Sequence, residues 1–469
     1  MLPNIPLKLA FIGGALNSAV GYTHFVSSSM DNKWKLVAGY FSRDKKTNLE
    51  TAQAYGINPE SIYSDWKVLL RNEKNKIDAV AILLPTPLHF EVAMKCMEMG
   101  VPVICEKALA VNASQGKQLL ELRNQNKAFL AVTYNYSGYP IIRELKNMIT
   151  NNVLGEILHF SVEMPQEGFI RVDEKGNKPH PQSWRLADGT VPTIHLDLAV
   201  HMHELIDYLI NKKPLEVISF QANKGWFNNV IDNVYCLCKY EDEIQGQWWF
   251  SKSAIGYRNG LRIRIFGSNA SAEWIQAYPE ELIISYADGE RRIIDRASSV
   301  SIANQSRYTR FKAGHPAGFI EAFSNLYSDI AEALIQYKKC GEWFSDEVFS
   351  IELALEGLYL LEAMTKSTET QKWEPIIGVK ANSWGVKNMK TRWGSCNIKD
   401  KRIWINLQLA KSPINCLEYV MVHELVHLLE KNHTPAFIGY MDKFLPDWQV
   451  TKDALNCFIK DQCVDNSCR

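Results

Sequence analysis

Two histidines stand four residues apart within an apolar segment in the C-terminal part of the chain. His423, Glu424 and His427 form the pattern His-Glu-x-x-His. On a helix both imidazoles lie on one face and can bind one Zn²⁺, and the adjacent glutamate can accept a proton from water on the metal. His433 follows six residues after His427, where a turn can return it as a third ligand. The pattern predicts a hydrolytic zinc site.

A second set of residues is suited to moving protons. Asp197 and His201 are four residues apart, so a helix would direct both side chains towards one point. A carboxylate that is hydrogen-bonded to an imidazole fixes its tautomer and raises its basicity. Lys107 follows a short apolar run, which would place it in the crevice where parallel sheets bind ligands. We predict that Lys107, Asp197 and His201 are catalytic and that His195 is a further substrate contact.

The first apolar run of the chain, Leu7–Ile12, ends in a turn of small residues. Such residues make a tight turn and let a pyrophosphate approach the backbone at a helix N-terminus. The strict Gly-x-Gly-x-x-Gly pattern is absent, but the turn follows the first strand, as a dinucleotide site requires. The cofactor-binding residues predicted here are Gly13, Gly14, Ala15, Leu16 and Asn17.

The end of the second apolar run bears on the choice of cofactor. An acidic residue at this place would bind the ribose 2′-hydroxyl of NAD, whereas Ser42 and Arg43 can accept a 2′-phosphate. We therefore expect NAD(P), with NADP favoured over NAD; the alternative is that Arg43 is only a solvated loop charge. Further cofactor contacts are predicted at Pro85, Thr86, His89, Glu106 and Lys107.

The elements that must position these residues follow two rhythms. Up to about residue 135, short buried strands alternate with helices, which predicts a parallel, doubly wound α/β sheet. From 136 to 376, strands such as 261–266 alternate polar with apolar residues, which indicates an α+β domain with a mostly antiparallel sheet. Residues 377–469 form a third, small and mainly helical segment around the histidine motif. We predict domains at 1–135, 136–376 and 377–469.

The first two domains resemble the Gfo/Idh/MocA oxidoreductases, with a Rossmann domain followed by a substrate and oligomerisation domain. Glu106-Lys107-Ala108 is similar to the family's Glu-Lys-Pro motif, and Asp197-x3-His201 to its Asp-x3-His. Trp184-Arg185 resembles a Trp-Arg pair that implies substrate binding. The resemblance implies reversible hydride transfer between NAD(P) and a hydroxyl-bearing carbon of a sugar or cyclitol. The resemblance also implies that His201 is the general acid/base, that Lys107 holds the reacting oxygen and that Asp197 orients the site.

The third segment resembles the YgjP-like metallopeptidases, relatives of the SprT-type zinc proteases, over about residues 378–455. The resemblance rests on Arg392-Trp393-Gly394-Ser395, on the histidine motif and on Leu445-Pro446-Asp447-Trp448. It implies His423, His427 and His433 as zinc ligands and Glu424 as general base in a zincin-like module. The family has a longer β-rich part before the Arg-Trp-Gly-Ser motif, so the module is partial. Both an active peptidase and a folded, inactive zinc module stay open.

Composition limits the possible partners. The chain has 469 residues, of which 46% are apolar, and its 52 basic residues balance its 52 acidic ones. Zero net charge argues against nucleic-acid binding and a polybasic membrane anchor, and no apolar run reaches about 18 residues. Ten cysteines without a Cys-x-x-Cys pair indicate reduced thiols and a cytoplasmic location. We expect a sugar-like small-molecule substrate and a homo-oligomer, a dimer or tetramer.

Two other functions compete with this interpretation. The chain could be a zinc peptidase whose nucleotide-binding part serves as a scaffold or sensor. Alternatively, it could be a cofactor-binding protein in which both sites are vestigial.

Overall fold

The computed structural model describes residues 5–376, 383–389, 392–398, 400 and 402–465. The chain divides into two compact units, Met1–Ile376 and Ile377–Arg469. Within the described residues, no helix has both the length and the apolar character that a membrane span requires.

The first unit begins with a five-stranded sheet in the order β2-β1-β3-β4-β5, in which all neighbours are parallel. Along β1, Leu9 and Phe11 belong to one buried cluster, and Ala10 and Ile12 belong to another. Both faces of the sheet are therefore covered, which explains the near-continuous apolar runs. The strands are β1 (Leu7–Gly13), β2 (Trp34–Tyr40), β3 (Ala79–Leu83), β4 (Val103–Glu106) and β5 (Leu130–Thr133).

Helices alternate with these strands as the sequence predicts, but the first helix begins later than expected. The sequence favours a helix directly after the glycine turn, whereas the structure begins it at Gly21 and leaves residues 14–20 as a loop. The helices are α1 (Gly21–Met30), α2 (Lys45–Ala54), α3 (Trp66–Glu73), α4 (His89–Glu98), α5 (Ala113–Asn126) and α6 (Pro140–Thr150).

A nine-stranded sheet follows in the order β13-β12-β11-β10-β6-β9-β8-β7-β14. Its neighbours are antiparallel except β6 and β9, which run parallel. Side chains of β8 alternate between buried and exposed, so one face packs on helices and the other is open. The strands are β6 (Ile157–Pro165), β7 (Pro214–Ala222), β8 (Asn233–Tyr240), β9 (Gln245–Ser251), β10 (Arg262–Gly267), β11 (Ala270–Ile275), β12 (Leu282–Tyr286), β13 (Arg291–Ile294) and β14 (Glu374–Pro375).

Three helices complete the first unit: α7 (Val200–Ile210), α8 (Phe319–Cys340) and α9 (Ile351–Thr370). A π-helical turn at His195–Ala199 precedes α7. This turn corrects the expectation of a regular helix through Asp197, because hydrogen bonds from i to i+5 put more residues in each turn and change which side chains share a face.

In its described residues, the second unit consists of a small three-stranded sheet and three helices. Its sheet has the order β15-β17-β16, with β15 (Ser383–Lys387) parallel and β16 (Gly394–Asn397) antiparallel to β17 (Arg402–Asn406). The helices are α10 (Ile414–Val426), α11 (Pro435–Phe444) and α12 (Trp448–Asp465). Their core includes Ile403, Tyr419 and Phe437.

Candidate active site and metal centre

The predicted proton-transfer residues of the first unit line one cavity of about 390 Å³. Lys107 directly follows β4 at the carboxyl end of the parallel sheet, Asp197 lies in the π-helical turn, and His201 lies in the first turn of α7. Pro85, Thr86, Glu106, Trp184 and Arg185 line the same cavity. Ligands bind to open α/β sheets at this edge.

The carboxylate of Asp197 is held by three cations. Lys107 Nζ donates to its Oδ1 at 3.0 Å and to its backbone carbonyl at 2.7 Å. Arg185 and Lys252 both bind Oδ2. Burial alone would raise the pKa of Asp197, but the charges of Lys107, Lys252 and Arg185 hold that pKa well below its usual range. The carboxylate is therefore ionised and serves as the counter-ion of a cation cluster.

His201 differs from the expectation in its partner. The sequence favours a hydrogen bond between Asp197 and His201, but both carboxylate oxygens are taken by the three cations, and His201 Nδ1 has no hydrogen-bond partner in the described part of the chain. The Tyr136 ring packs edge-on against the imidazole at 4.9 Å. Burial, and next the charge of Lys107, lower the pKa of His201 to about 3. The ring is therefore neutral, and burial makes it a weaker base than a free imidazole.

Glu106 belongs to a separate network of hydrogen bonds beneath the cavity. His24 Nε2 lies 3.0 Å from Glu106 Oε1, and His24 Nδ1 lies 2.8 Å from the Tyr327 hydroxyl. The Thr133 hydroxyl donates to the same carboxylate. Burial would raise the pKa of Glu106, but the hydrogen bond and charge of His24 and the charge of Lys107 lower it to about 2. The network fixes the end of β4, from which Lys107 projects.

The glycine turn has the backbone that a nucleotide loop needs. Gly13 and Gly14 have φ of +89° and +77°, and a Cβ on Gly13 would lie 2.5 Å from the Leu83 carbonyl oxygen. The residues that line the cavity are the following ones, Ser18, Ala19 and Val20, just before α1. The predicted residues Ala15, Leu16 and Asn17 are not part of this lining. A close-packed glycine turn leading to a helix N-terminus fits the pyrophosphate of a dinucleotide.

The predicted 2′-phosphate residues lie at the end of β2. Ser42 is half-buried and Arg43 is exposed. The Asn48 side chain accepts hydrogen bonds from the backbone N–H groups of Phe41 and Ser42 and shapes this loop. The nearby carboxylate of Asp44 caps α2 by accepting from the N–H and hydroxyl of Thr47.

Two predicted histidines lie in the protein core instead of the cavity wall. His89 is buried, and its ring nitrogens each lie 2.7 Å from a carbonyl oxygen, of Ala108 and of Leu84. His195 is fully buried, and its ring packs edge-on against Phe250 at 5.2 Å. Burial lowers the pKa of His195 to about 3. These positions correct the predictions of cofactor contact for His89 and substrate contact for His195.

The sequence prediction missed several cavity residues. Lys252 directly follows β9, lines the cavity and is buried, while Asn135 and Tyr136 follow β5. Asn135 Nδ2 is buried without a hydrogen-bond partner among the described residues. The position after the end of a strand was the available signal for Lys252. That signal is weak in this part of the sequence, where the alternation of polar and apolar residues predicts a mostly antiparallel sheet; the parallel pairing of β9 with β6 is visible only in the structure.

The second unit brings the three predicted imidazoles together. His423 lies on α10, His427 directly follows that helix, and His433 precedes α11. One ligand atom from each lies within 4.8 Å of the others, and the Nε2 atoms of His423 and His433 are 3.0 Å apart. Three imidazole nitrogens that converge in this way are a donor set that fits a zinc ion.

Neighbouring groups orient this cluster. His427 Nδ1 lies 3.3 Å from the Glu430 carbonyl, which leaves its other nitrogen for a metal. Phe437 packs against all three rings. Glu424 is buried beside β16, where a Cβ on Gly394 would lie 2.5 Å from Glu424 Cγ. A cavity of about 500 Å³ runs past the cluster.

Three family models match parts of the chain. Residues 7–134 match the oxidoreductase family model with an NAD-binding Rossmann fold, and residues 142–273 match the GFO/IDH/MocA C-terminal domain. Residues 349–458 match the YgjP-like metallopeptidase domain, so this match begins in the first unit and includes α9.

Several relatives are oxidoreductases by name. The chain is 28% identical over 374 residues to the uncharacterized oxidoreductase YfiI of Bacillus subtilis, covering 77% of this chain and 94% of that one. It is 22% identical to myo-inositol 2-dehydrogenase of Thermotoga maritima, over 68% of this chain and 86% of that one. An inositol dehydrogenase homolog of Azotobacter vinelandii, solved with NADH and myo-inositol, superimposes with a TM-score of 0.71 at 26% identity, covering 79% and 97% of the two chains.

The fold, the cavity and these matches define an oxidoreductase with an NAD-binding Rossmann domain. The protein belongs to the Gfo/Idh/MocA family and carries a YgjP-like metallopeptidase domain at its C-terminal end.

Proposed function

We propose that the first unit oxidises a hydroxyl of a sugar, sugar derivative or cyclitol with NAD(P) as the hydride acceptor. The observation that carries the proposal is the meeting of Lys107, Asp197 and His201 on one cavity at the carboxyl edge of the parallel sheet. The domains we assign to this activity are 1–135 for the cofactor and 136–376 for the substrate.

Each of the three residues has a distinct part in the reaction. Lys107 Nζ donates two hydrogen bonds to Asp197, which leaves its third N–H for the reacting oxygen. His201 is neutral and accepts the hydroxyl proton as the carbon loses its hydride. A nicotinamide dinucleotide held at the glycine turn of Gly13 and Gly14 would supply the acceptor for that hydride. Asp197 is a positioning residue, because it holds the Lys107 ammonium over the cavity.

NADP is our preferred cofactor. Arg43 is exposed beside Ser42, and Asp44, the nearest carboxylate, is already engaged in capping α2. A 2′-phosphate would therefore meet the exposed guanidinium of Arg43 and the hydroxyl of Ser42, which accepts from the Asp44 N–H and keeps its own proton to donate. A ribose diol would lack its usual carboxylate acceptor.

Absorbance at 340 nm tests this activity with a panel of hexoses, pentoses and inositols, each with NAD⁺ and NADP⁺. We expect turnover that favours NADP⁺ and falls about 10²- to 10⁴-fold in kcat/KM for His201→Asn, the usual contribution of a general base. The matched control is His159→Asn, since this ring stacks on Phe266 at the open sheet and lies outside the cavity lining. Equal rates for wild type and His201→Asn would contradict the mechanism.

The second unit supports a second candidate, a zinc centre. We propose that His423, His427 and His433 bind one Zn²⁺ and that Glu424 is placed to act as a base beside it. Zinc per chain, measured on protein purified without chelators, should be about one and should be lost in His423→Ala. Peptidase activity then requires proteolysis that is abolished by a chelator and by Glu424→Gln; zinc binding without such proteolysis would define an inactive module.

We propose that the open face of the nine-stranded sheet joins copies of this chain. Phe220, Tyr235 and Leu237 are 56%, 49% and 52% exposed there, on the paired strands β7 and β8. Contiguous exposed apolar side chains are typical of such interfaces. Light scattering should give a dimer or tetramer that Leu237→Lys dissociates. A monomeric wild type would contradict this assignment.

A cytoplasmic location stays a prediction.

A further inference from the structure

The cavity of the first unit holds more cations than it needs to bind Asp197. Lys107, Arg185 and Lys252 all pair with this one carboxylate, and two of them share its Oδ2. The only other acidic residue in the cavity lining, Glu106, is held by His24 and Thr133. Three cations therefore face two carboxylates, and the neutral His201 does not change that balance.

Lys252 is the most buried of the three ammonium and guanidinium groups. Its side chain is 8% exposed, compared with 15% for Lys107 and 23% for Arg185. An uncompensated cation is costly to bury, so such groups are normally paired with an anion. Burial lowers the pKa of Lys252, although the charge of Asp197 opposes that effect.

Neighbouring acids do not supply the missing anion. Asp232 accepts hydrogen bonds from the backbone N–H groups of Lys224 and Gly225. Asp188 is likewise occupied, by the N–H groups of Thr193 and Ile231. Both carboxylates hold loop backbone. Among the described residues, neither forms an ion pair with Lys252 or Arg185, whose ion pairs are with Asp197.

Donor capacity also remains on the two cations that share Oδ2. Arg185 has five N–H donors and Lys252 has three, and each spends one on Asp197. A planar guanidinium and a nearby ammonium are the groups that best bind carboxylates and phosphates. Lys107 is distinguished from this pair by its bonds to Oδ1 and to the Asp197 carbonyl.

We propose that the substrate is an anionic polyol, with a carboxylate or phosphate group that Lys252 and Arg185 bind while Lys107 and His201 act on a hydroxyl. The proposal rests on the oxidoreductase function above and narrows its substrate class. Carboxylate and phosphate share the recognition chemistry, and the experiment separates them.

Calorimetric titration tests the proposal without requiring turnover. The probes are glucose, galactose and mannose, each compared with its uronate and its 6-phosphate, in the presence of NADP⁺ and at constant ionic strength because salt screens such contacts. We expect one acidic series to bind at least about 10-fold more tightly than the neutral sugars, since a charged hydrogen bond contributes this much. The series that gains identifies the anion.

Variants then assign the binding group. Lys252→Met should lower the ratio of acidic to neutral affinity by about 10- to 100-fold, Lys252→Arg should retain most of it, and Arg185→Gln should lower it as well. Lys95→Met is the control, because Lys95 pairs with the exposed Glu98 outside the cavity lining. The arginine variant shows whether the site tolerates substitution.

The outcomes separate this inference from the proposed function. Equal affinity for acidic and neutral sugars, or a preference that survives both Lys252→Met and Arg185→Gln, would overturn the anionic-substrate inference even if a neutral polyol is oxidised. Tight, Lys252-dependent binding of an acid with no formation of reduced nicotinamide would support the inference and would instead count against the oxidoreductase function.

Discussion

Replacing Asp197 by asparagine removes the counter-ion of the cation cluster while keeping the shape of the side chain. Lys107, Arg185 and Lys252 would then face one another across an amide that carries no net charge. Breaking a buried ion pair by removing one partner costs about 3–5 kcal/mol, because the other charge stays buried and uncompensated. The cations are 8–23% exposed at the cavity, so we expect the lower end, a loss of about 3 kcal/mol.

Urea unfolding followed by tryptophan fluorescence measures this loss. The matched control is Asp288→Asn, since Asp288 is an exposed loop residue whose carboxylate accepts from the Glu290 N–H. The double variant Asp197→Asn/Lys252→Met should recover about half of the lost stability, because one of the surplus cations is gone; a double-mutant cycle isolates that coupling.

The same substitution distinguishes two roles for Asp197. If it is the counter-ion, Asp197→Asn lowers stability, and added salt partly restores that stability by screening the cations. If it is instead the partner of His201, the substitution changes the pH dependence of turnover and leaves stability almost unchanged. A loss below about 1 kcal/mol together with an altered pH profile would refute the counter-ion account.

Two further predictions concern groups beneath the site. His195 is neutral in the fold but takes a proton in the unfolded chain below about pH 6.5, so acid destabilises the wild type at this residue. In urea unfolding, the stability difference between His195→Phe and wild type should therefore favour the variant by about 2 kcal/mol more at pH 5 than at pH 8. A difference that does not change with pH would contradict the neutral ring. Gly13→Ala should lower the free energy of unfolding by about 1–3 kcal/mol, because the new Cβ meets the Leu83 carbonyl at 2.5 Å and φ is +89°. The same change should weaken NADPH binding, measured by fluorescence titration. Unchanged binding and stability would show that the turn has more room than the structure gives it.

Local sequence patterns were sufficient for the architecture. Apolar runs ending in small residues predicted the parallel strands, and alternation predicted strands such as β10. The spacing of His423, His427 and His433 predicted a cluster that the structure assembles. His423 lies on α10, His427 directly follows that helix, and a short turn returns His433, so the ligands meet with little help from the rest of the chain.

Local patterns could not predict which residues far apart in the sequence become partners. The bond between His24 and Glu106 joins residues 82 positions apart, and Lys252 meets Asp197 from 55 positions away. No local spacing encodes such pairs, since only the tertiary fold brings α1 to the end of β4 and the π-helical turn to the end of β9. For the same reason the sequence assigned His201 to Asp197, and His89 and His195 to ligands: helix geometry alone shows neither the π-helical turn nor which histidines the core covers.

We propose that the cavity removes a hydride from a hydroxyl-bearing carbon and a proton from the oxygen of that hydroxyl. The most direct measurement of this reaction is a mass balance of a single incubation of the purified chain with NADP⁺ and the polyol that binds most tightly. We predict one reduced nicotinamide, read at 340 nm, for each molecule of product two mass units lighter than the substrate, and neither product in His201→Asn. Tight binding of the polyol and of NADP⁺ with neither a 340 nm signal nor a lighter product would contradict the claim.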